Sequence, residues 1–159
     1  MTSTQDQECT MPKIDCVIFE CAGVPVGQGA HSISKSGHIY ETSKGHKSWR
    51  QELVEAAKMA KPDDFTMITG PVDLLVTFVF PRLKSHYGTG RNAGILKGGA
   101  PRAHTSFPDL DHLLRCLCDA LELSGLIKND NQICSLQTEK IYGMDPGAYI
   151  TITEVDHGD

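Results

Sequence analysis

The chain has 159 residues, enough to fill one hydrophobic core and too few for two. Its 40% apolar and 22% charged residues are ordinary for a globular domain, and no apolar run reaches the roughly 20 residues that span a bilayer. A net charge of −5 excludes a protein that coats nucleic acid through bulk charge, but not one with a local basic surface.

Residues 1–12 are polar and acidic, without the basic and apolar segments of a signal peptide, and read as a tail before a single domain over 13–156. No secretory address is present, which points to the cytoplasm. The six cysteines (9, 16, 21, 116, 118 and 134) form no C-x-x-C pair, so free thiols are expected rather than disulfides or a zinc site. Residues 14–21 are rich in β-branched side chains and predict a first strand. A turn-rich connection over 23–29 follows, then a hairpin over 31–42 turning at Ser36-Gly37. A helix is expected over 47–60, with Trp49, Leu53, Ala56, Ala57 and Ala60 on its core face and Pro62 ending it. Residues 72–80 predict a strand with Val72, Leu74, Val76, Phe78 and Phe80 on one face. Leu75 and Val79 on the other face imply burial on both sides.

Residues 81–108 form a long loop dense in Gly, Pro and Ser. Such loops in compact domains are usually functional or disordered. An amphipathic helix follows over 109–124, stopped by Gly125, then a turn at 128–131 and strands over 132–142 and 148–155 joined by a turn at 143–147. The expected fold is α+β, two helices packed on one mostly antiparallel or mixed sheet.

Charge is distributed unevenly. From Phe78 to Pro108 there is no acidic residue, while Arg82, Lys84, Arg91, Lys97, Arg102, His86 and His104 lie in or beside the loop. These side chains and the glycine amides suit a phosphate backbone, and Tyr87 and Phe107 suit stacking on bases. For His104 a packing role competes with a phosphate contact.

On a helical wheel Leu110, Leu113, Leu114, Leu117 and Leu121 fall between about 200° and 300° from Asp111, whereas Glu122, Arg115, Asp119 and His112 fall within about 100° of it. Asp109 and Asp111 open this helix and Asp130 sits in the turn after it. Three such carboxylates can converge on a hard divalent cation, and phosphodiester cleavage needs the charge and activated water that such an ion supplies. The pattern also fits plain chemistry. Asp109 suits an N-cap, and Asp111, Arg115 and Asp119 suit a solvated ladder at i, i+4 and i+8.

Pro108-Asp109-Leu110-Asp111-His112-Leu113, then Asp119-Ala120-Leu121, Gly125-Leu126 and Asn129-Asp130-Asn131-Gln132-Ile133, resemble the RusA family of Holliday-junction resolvases. Gly23-Val24-Pro25-Val26 and Pro81-Arg82-Leu83-Lys84-Ser85-His86-Tyr87 resemble its upstream segments. The resemblance implies a homodimeric, Mg²⁺-dependent endonuclease of recombination and repair, with Mn²⁺ as a possible substitute. Such enzymes act on four-way junctions and are often carried by phages. It implies that Asp109, Asp111 and Asp130 hold the metal and that Asp119 matches a further family acid. The family's active-site lysine is Arg115 here, which keeps the charge but donates protons poorly. His112 stands where the family has asparagine, Asn129 where it has an acid, and Phe107 in a stretch that is often basic. A flap- or fork-specific nuclease with the same site, or a branched-DNA-binding protein without activity, remains open at this point.

Overall fold

A computed structural model describes residues 16–29, 31–33, 39–41 and 45–155. It is an α+β domain. The elements are β1 (Cys16–Ala22), β2 (His31–Ile33), β3 (Ile39–Glu41), α1 (His46–Met59), β4 (Val72–Pro81), α2 (Leu110–Ser124), β5 (Ile133–Gly143) and β6 (Gly147–Glu154). Short 3₁₀ turns occur at Lys84–His86, Gly90–Asn92 and Asp130–Gln132. The tail over 1–12 and the Ser36-Gly37 turn lie outside the described residues, whereas β2 and β3 pair antiparallel as the hairpin pattern requires.

The four-stranded sheet has the order β1-β6-β4-β5. β6 is antiparallel to both β1 and β4, while β4 and β5 run parallel. The two strands joined by the 143–147 turn, β5 and β6, are therefore separated by β4. Glycine makes this step across the end of β4 possible. A Cβ on Gly143 would come within 2.5 Å of Val79 Cγ1, and one on Gly147 within 2.7 Å of the Cys21 carbonyl.

Both helices pack on one face of the sheet. From α1, Trp49, Leu53, Val54 and Ala57 are buried. From α2, Leu113, Cys116, Leu117, Ala120 and Leu121 are buried, meeting Val17, Phe19, Leu74, Val76, Phe78, Phe80, Ile150 and Ile152 of the sheet. Leu110 and Leu114, expected on the same face, are partly buried. The expectation of burial on both faces of β4 is corrected. Val79 is buried, but Leu75 is 46% exposed and Ile18 on β1 is 70% exposed. With both helices on one side, no layer of the described chain covers the other.

The loop between β4 and α2 is built onto the sheet. Tyr142 donates its backbone N–H to the Arg102 carbonyl (2.8 Å) and His104 donates to the Lys140 carbonyl (3.0 Å), so residues 102–104 run along the edge of β5. Within the loop Tyr87 bridges Leu96, with Gly88 N–H on the Ile95 carbonyl (2.9 Å) and Lys97 N–H on the His86 carbonyl (2.9 Å). His104 stacks on Phe80 at 4.0 Å and meets Tyr142 at 4.8 Å, while His86 meets Tyr142 edge-on at 4.6 Å. Both histidines are buried. Burial, and then the Lys140 ammonium, hold His104 below the ordinary histidine pKa.

Neutral His104 therefore favours the folded state. The contribution is complete above the unfolded-state pKa of about 6.5 and is lost as pH falls through that value toward the lower folded one. Melting temperature followed from pH 8 to pH 5 is expected to drop more in the wild type than in His104→Phe, which keeps the stack and removes the titration. Parallel curves from the two proteins would contradict this account.

Candidate metal and nucleic-acid site

The site begins where the basic loop becomes α2. Asp109 occupies the N-cap position with extended backbone (φ −70°, ψ 147°), yet its carboxylate accepts no capping hydrogen bond. The ordinary capping role expected of an aspartate here is not used, and its oxygens stay available. Asp111 follows in the first turn. Asp109, Asp111 and His112 each present one ligating atom, and these atoms lie within 4.8 Å of one another. His112 Nε2 is 3.7 Å from Asp111 Oδ2. Two carboxylates so placed repel one another, and the partial positive charge at the helix start offsets only part of that. The donor set of two hard oxygens and one imidazole nitrogen fits a divalent cation.

The rest of the chain seats this turn. The 23–29 connection lies against it, with Gln28 N–H on the His112 carbonyl (3.0 Å). Gly27 allows the approach, since a Cβ there would stand 2.9 Å from His112 Cβ and 3.2 Å from Pro108 Cβ. From β5, Lys140 Nζ donates to the carbonyls of Ser106 (2.9 Å) and Pro108 (2.6 Å), immediately before Asp109. Sequence reasoning missed both His112 and Lys140. His112 had a signal, an imidazole three residues after an acid in a helix's first turn. Lys140 had none, because its partners are backbone atoms more than thirty residues away.

Asp130 is firmly placed but does not join the three-residue group. Its N–H donates to Glu122 Oε1 (2.6 Å), and Asn129 accepts from Asn131 N–H (3.1 Å). Gln132 fastens the turn on both sides. Its Oε1 accepts from the N–H groups of Lys128 and Asn129 (2.8 Å each), and its Nε2 donates to the carbonyls of Ile68 (3.1 Å) and Gly70 (2.8 Å). Asp111 and Glu122 are separated by about 16 Å of helix axis. The close group at the start of α2 thus holds Asp109 and Asp111, while the Asp130 turn is tied to the second half of the helix through Glu122.

Further acids, Asp119 and Glu122, lie on the same face of the helix beyond Arg115. Burial first, then Asp130, Asp119 and Glu122, push the Cys118 thiol up to about 11. Cys118 is therefore a neutral thiol at physiological pH. Asp119 pairs with Arg50 of α1 at 3.2 Å. Among the described residues Arg115 makes no ion pair with Asp111 or Asp119, so the solvated ladder is not formed.

The basic residues divide as well. Arg82 donates to the Pro101 carbonyl (3.1 Å) and Lys97 to the Ser85 carbonyl (2.8 Å), bracing the loop. Arg102 pairs with Glu139 (3.1 Å) yet stays 71% exposed. Lys84 and Arg91 are exposed. The expectation of a phosphate contact at His104 is corrected, because its ring is buried in the stack with Phe80 and Tyr142. Phe107 is 70% exposed, two residues before Asp109.

No helix among the described residues is long and apolar enough to cross a membrane. No curated protein sequence matches the chain. The family described as Endodeoxyribonuclease RusA matches residues 22–153, most of the length, a range that includes both the first turn of α2 and the Asp130 turn. By this match, on a four-stranded mixed sheet carrying two helices, the chain belongs to the RusA endodeoxyribonuclease family.

Proposed function

We propose that this protein resolves four-way DNA junctions in recombination and repair by divalent-metal-dependent hydrolysis. The physiological ion is Mg²⁺, with Mn²⁺ as a substitute, and the acting species is a homodimer. The observation that carries the reading is the group formed by Asp109, Asp111 and His112 within 4.8 Å, at the point where an acid-free basic loop ends. Asp109 and Asp111 would hold the ion, with His112 beside them. Asp130, on the neighbouring turn, extends the acidic face for a second ion or a bridging water. A bound ion supplies positive charge at the scissile phosphate and a water of lowered pKa. Arg115 stands one turn beyond Asp111 and is permanently charged, so it neutralises phosphate oxygens as charge develops on them. It is too weak an acid to protonate the departing O3′, which falls to solvent.

DNA binding is assigned to the loop. Lys84 and Arg91 offer exposed cationic ends, and Arg82, Lys97 and Arg102 combine bracing with exposed charge. Phe107, exposed two residues before Asp109, would stack on an opened base at the branch. Two copies about a two-fold axis would nick opposing strands.

Asp111→Asn is expected to lower Mg²⁺-dependent cleavage of a labelled four-way junction by at least roughly a hundredfold while leaving junction binding in place. Wild-type protein that shifts the junction and never cuts it would reverse the catalytic reading. Preferential cutting of flaps or forks in competition would reassign the substrate. A second expectation concerns affinity. Replacing Lys84 and Arg91 by alanine should weaken binding to any DNA sequence. It should also reduce the slope of log K against log salt by about 0.9 for each phosphate no longer neutralised. An unchanged slope would move the DNA path away from these residues.

A further inference from the structure

Lys140 lies on β5, in register with Phe78 of β4 and distant in sequence from Asp109 and Asp111. It holds the last segment of the basic loop at three points. Its backbone carbonyl accepts the His104 N–H at 3.0 Å, and its ammonium donates to the carbonyls of Ser106 at 2.9 Å and Pro108 at 2.6 Å. The two side-chain bonds flank Phe107 and end one residue before Asp109. Asp109 makes no capping bond of its own, so nothing local to its carboxylate fixes where that carboxylate points. The preceding backbone sets the position of its Cα–Cβ bond, and that backbone is clamped by Lys140. Ionised donors make the stronger hydrogen bonds, and a half-buried ammonium with two carbonyl acceptors is well suited to hold a turn still.

We propose that Lys140 is a positioning residue of the metal site: by gripping the carbonyls on either side of Phe107 it fixes Asp109 relative to Asp111 and so sets affinity for the divalent ion. The proposal rests on the metal-site reading above and goes beyond it, since it assigns a function to a side chain that touches neither ion nor DNA. It also makes a prediction of sign. If the ammonium acted only as a charge near the acidic pair, its removal would strengthen cation binding, because a like charge is gone. If it acts by holding Asp109, removal weakens binding despite that gain.

The test is Mn²⁺ binding to the full-length protein without DNA, read from the free-ion electron paramagnetic resonance signal. The wild type is compared with Lys140→Met, Lys140→Arg and Asp111→Asn, and circular dichroism confirms that each is folded. Lys140→Met is expected to raise the Mn²⁺ dissociation constant at least fivefold, and Lys140→Arg, which keeps charged donors, to restore most of the loss. Should Lys140→Met fail to fold, Lys140→Gln serves in its place. Unchanged or tighter binding in Lys140→Met or Lys140→Gln, with binding abolished in Asp111→Asn, overturns the positioning role and leaves the metal site standing. Binding that is unaffected by Asp111→Asn overturns the site itself and the proposal with it.

Discussion

The parallel pairing of β4 with β5 is the constraint on which the site depends. Parallel neighbours cannot be joined by a hairpin, so the chain leaving β4 must travel back along the sheet before β5 begins. That crossover contains the basic loop and α2. Its return leg is anchored at both ends. Pro108 lies against Lys140 toward the end of β5, and Leu126 accepts the Ile68 N–H just before β4. The start of α2 is thereby placed next to the landing point of the loop, and acidic and basic segments adjacent in sequence become adjacent in space. A hairpin between β4 and β5 would have left no room for either.

The aspartates are held indirectly. Asp109 and Asp130 each follow a stretch of backbone tied down by other residues, Lys140 in one case and Glu122 with Gln132 in the other. Their own oxygens are left largely uncommitted. Such an arrangement separates two demands that oppose one another. Rigidity comes from hydrogen bonds to peptide groups, which are strong donors and acceptors, while the carboxylates keep lone pairs for a cation. A carboxylate that capped its helix would meet the first demand at the expense of the second. Asp119, paired with Arg50, is an example of an acid used to join α1 to α2.

Much of the fold is legible in the sequence because hydrophobic periodicity reports which residues share a face. It locates both helices, the hairpin strands and β4, and it places Trp49, Leu113, Leu117 and Leu121 in the core. It fails where the answer depends on a second layer. Leu75 and Val79 alternate identically in sequence, but only Val79 is covered, and no local pattern records where the helices go. The insertion of β4 between β5 and β6 is hidden for the same reason, since a short glycine-bounded turn suggests adjacent strands. In the site, Asp109 and Asp111 are legible through their spacing at a helix start. The tie between the Asp130 turn and Glu122 is not, because a motif fixes a place in the chain and not its hydrogen-bond partners. The basic residues around His104 suggest a DNA contact, whereas Phe80 and Tyr142, at the ends of two strands, decide its burial.

The charge layout also limits how DNA can approach. The sheet face without helices presents Ile18, Leu75 and Tyr149, with Glu20, Asp73 and Glu139 exposed among or beside them. Of the exposed cations on the loop, Arg102 is spent partly on Glu139, which leaves that border close to neutral. A polyanion gains nothing on this face. Lys84 and Arg91 are exposed on the loop that finishes at Asp109, away from these acids in sequence. A phosphate brought to the start of α2 would meet two carboxylates that repel it in the absence of a cation. On the proposed reading, the same repulsion that makes the acidic pair costly for the bare protein would make a bound ion a condition for close approach of the scissile phosphate, so metal and DNA would bind with positive coupling.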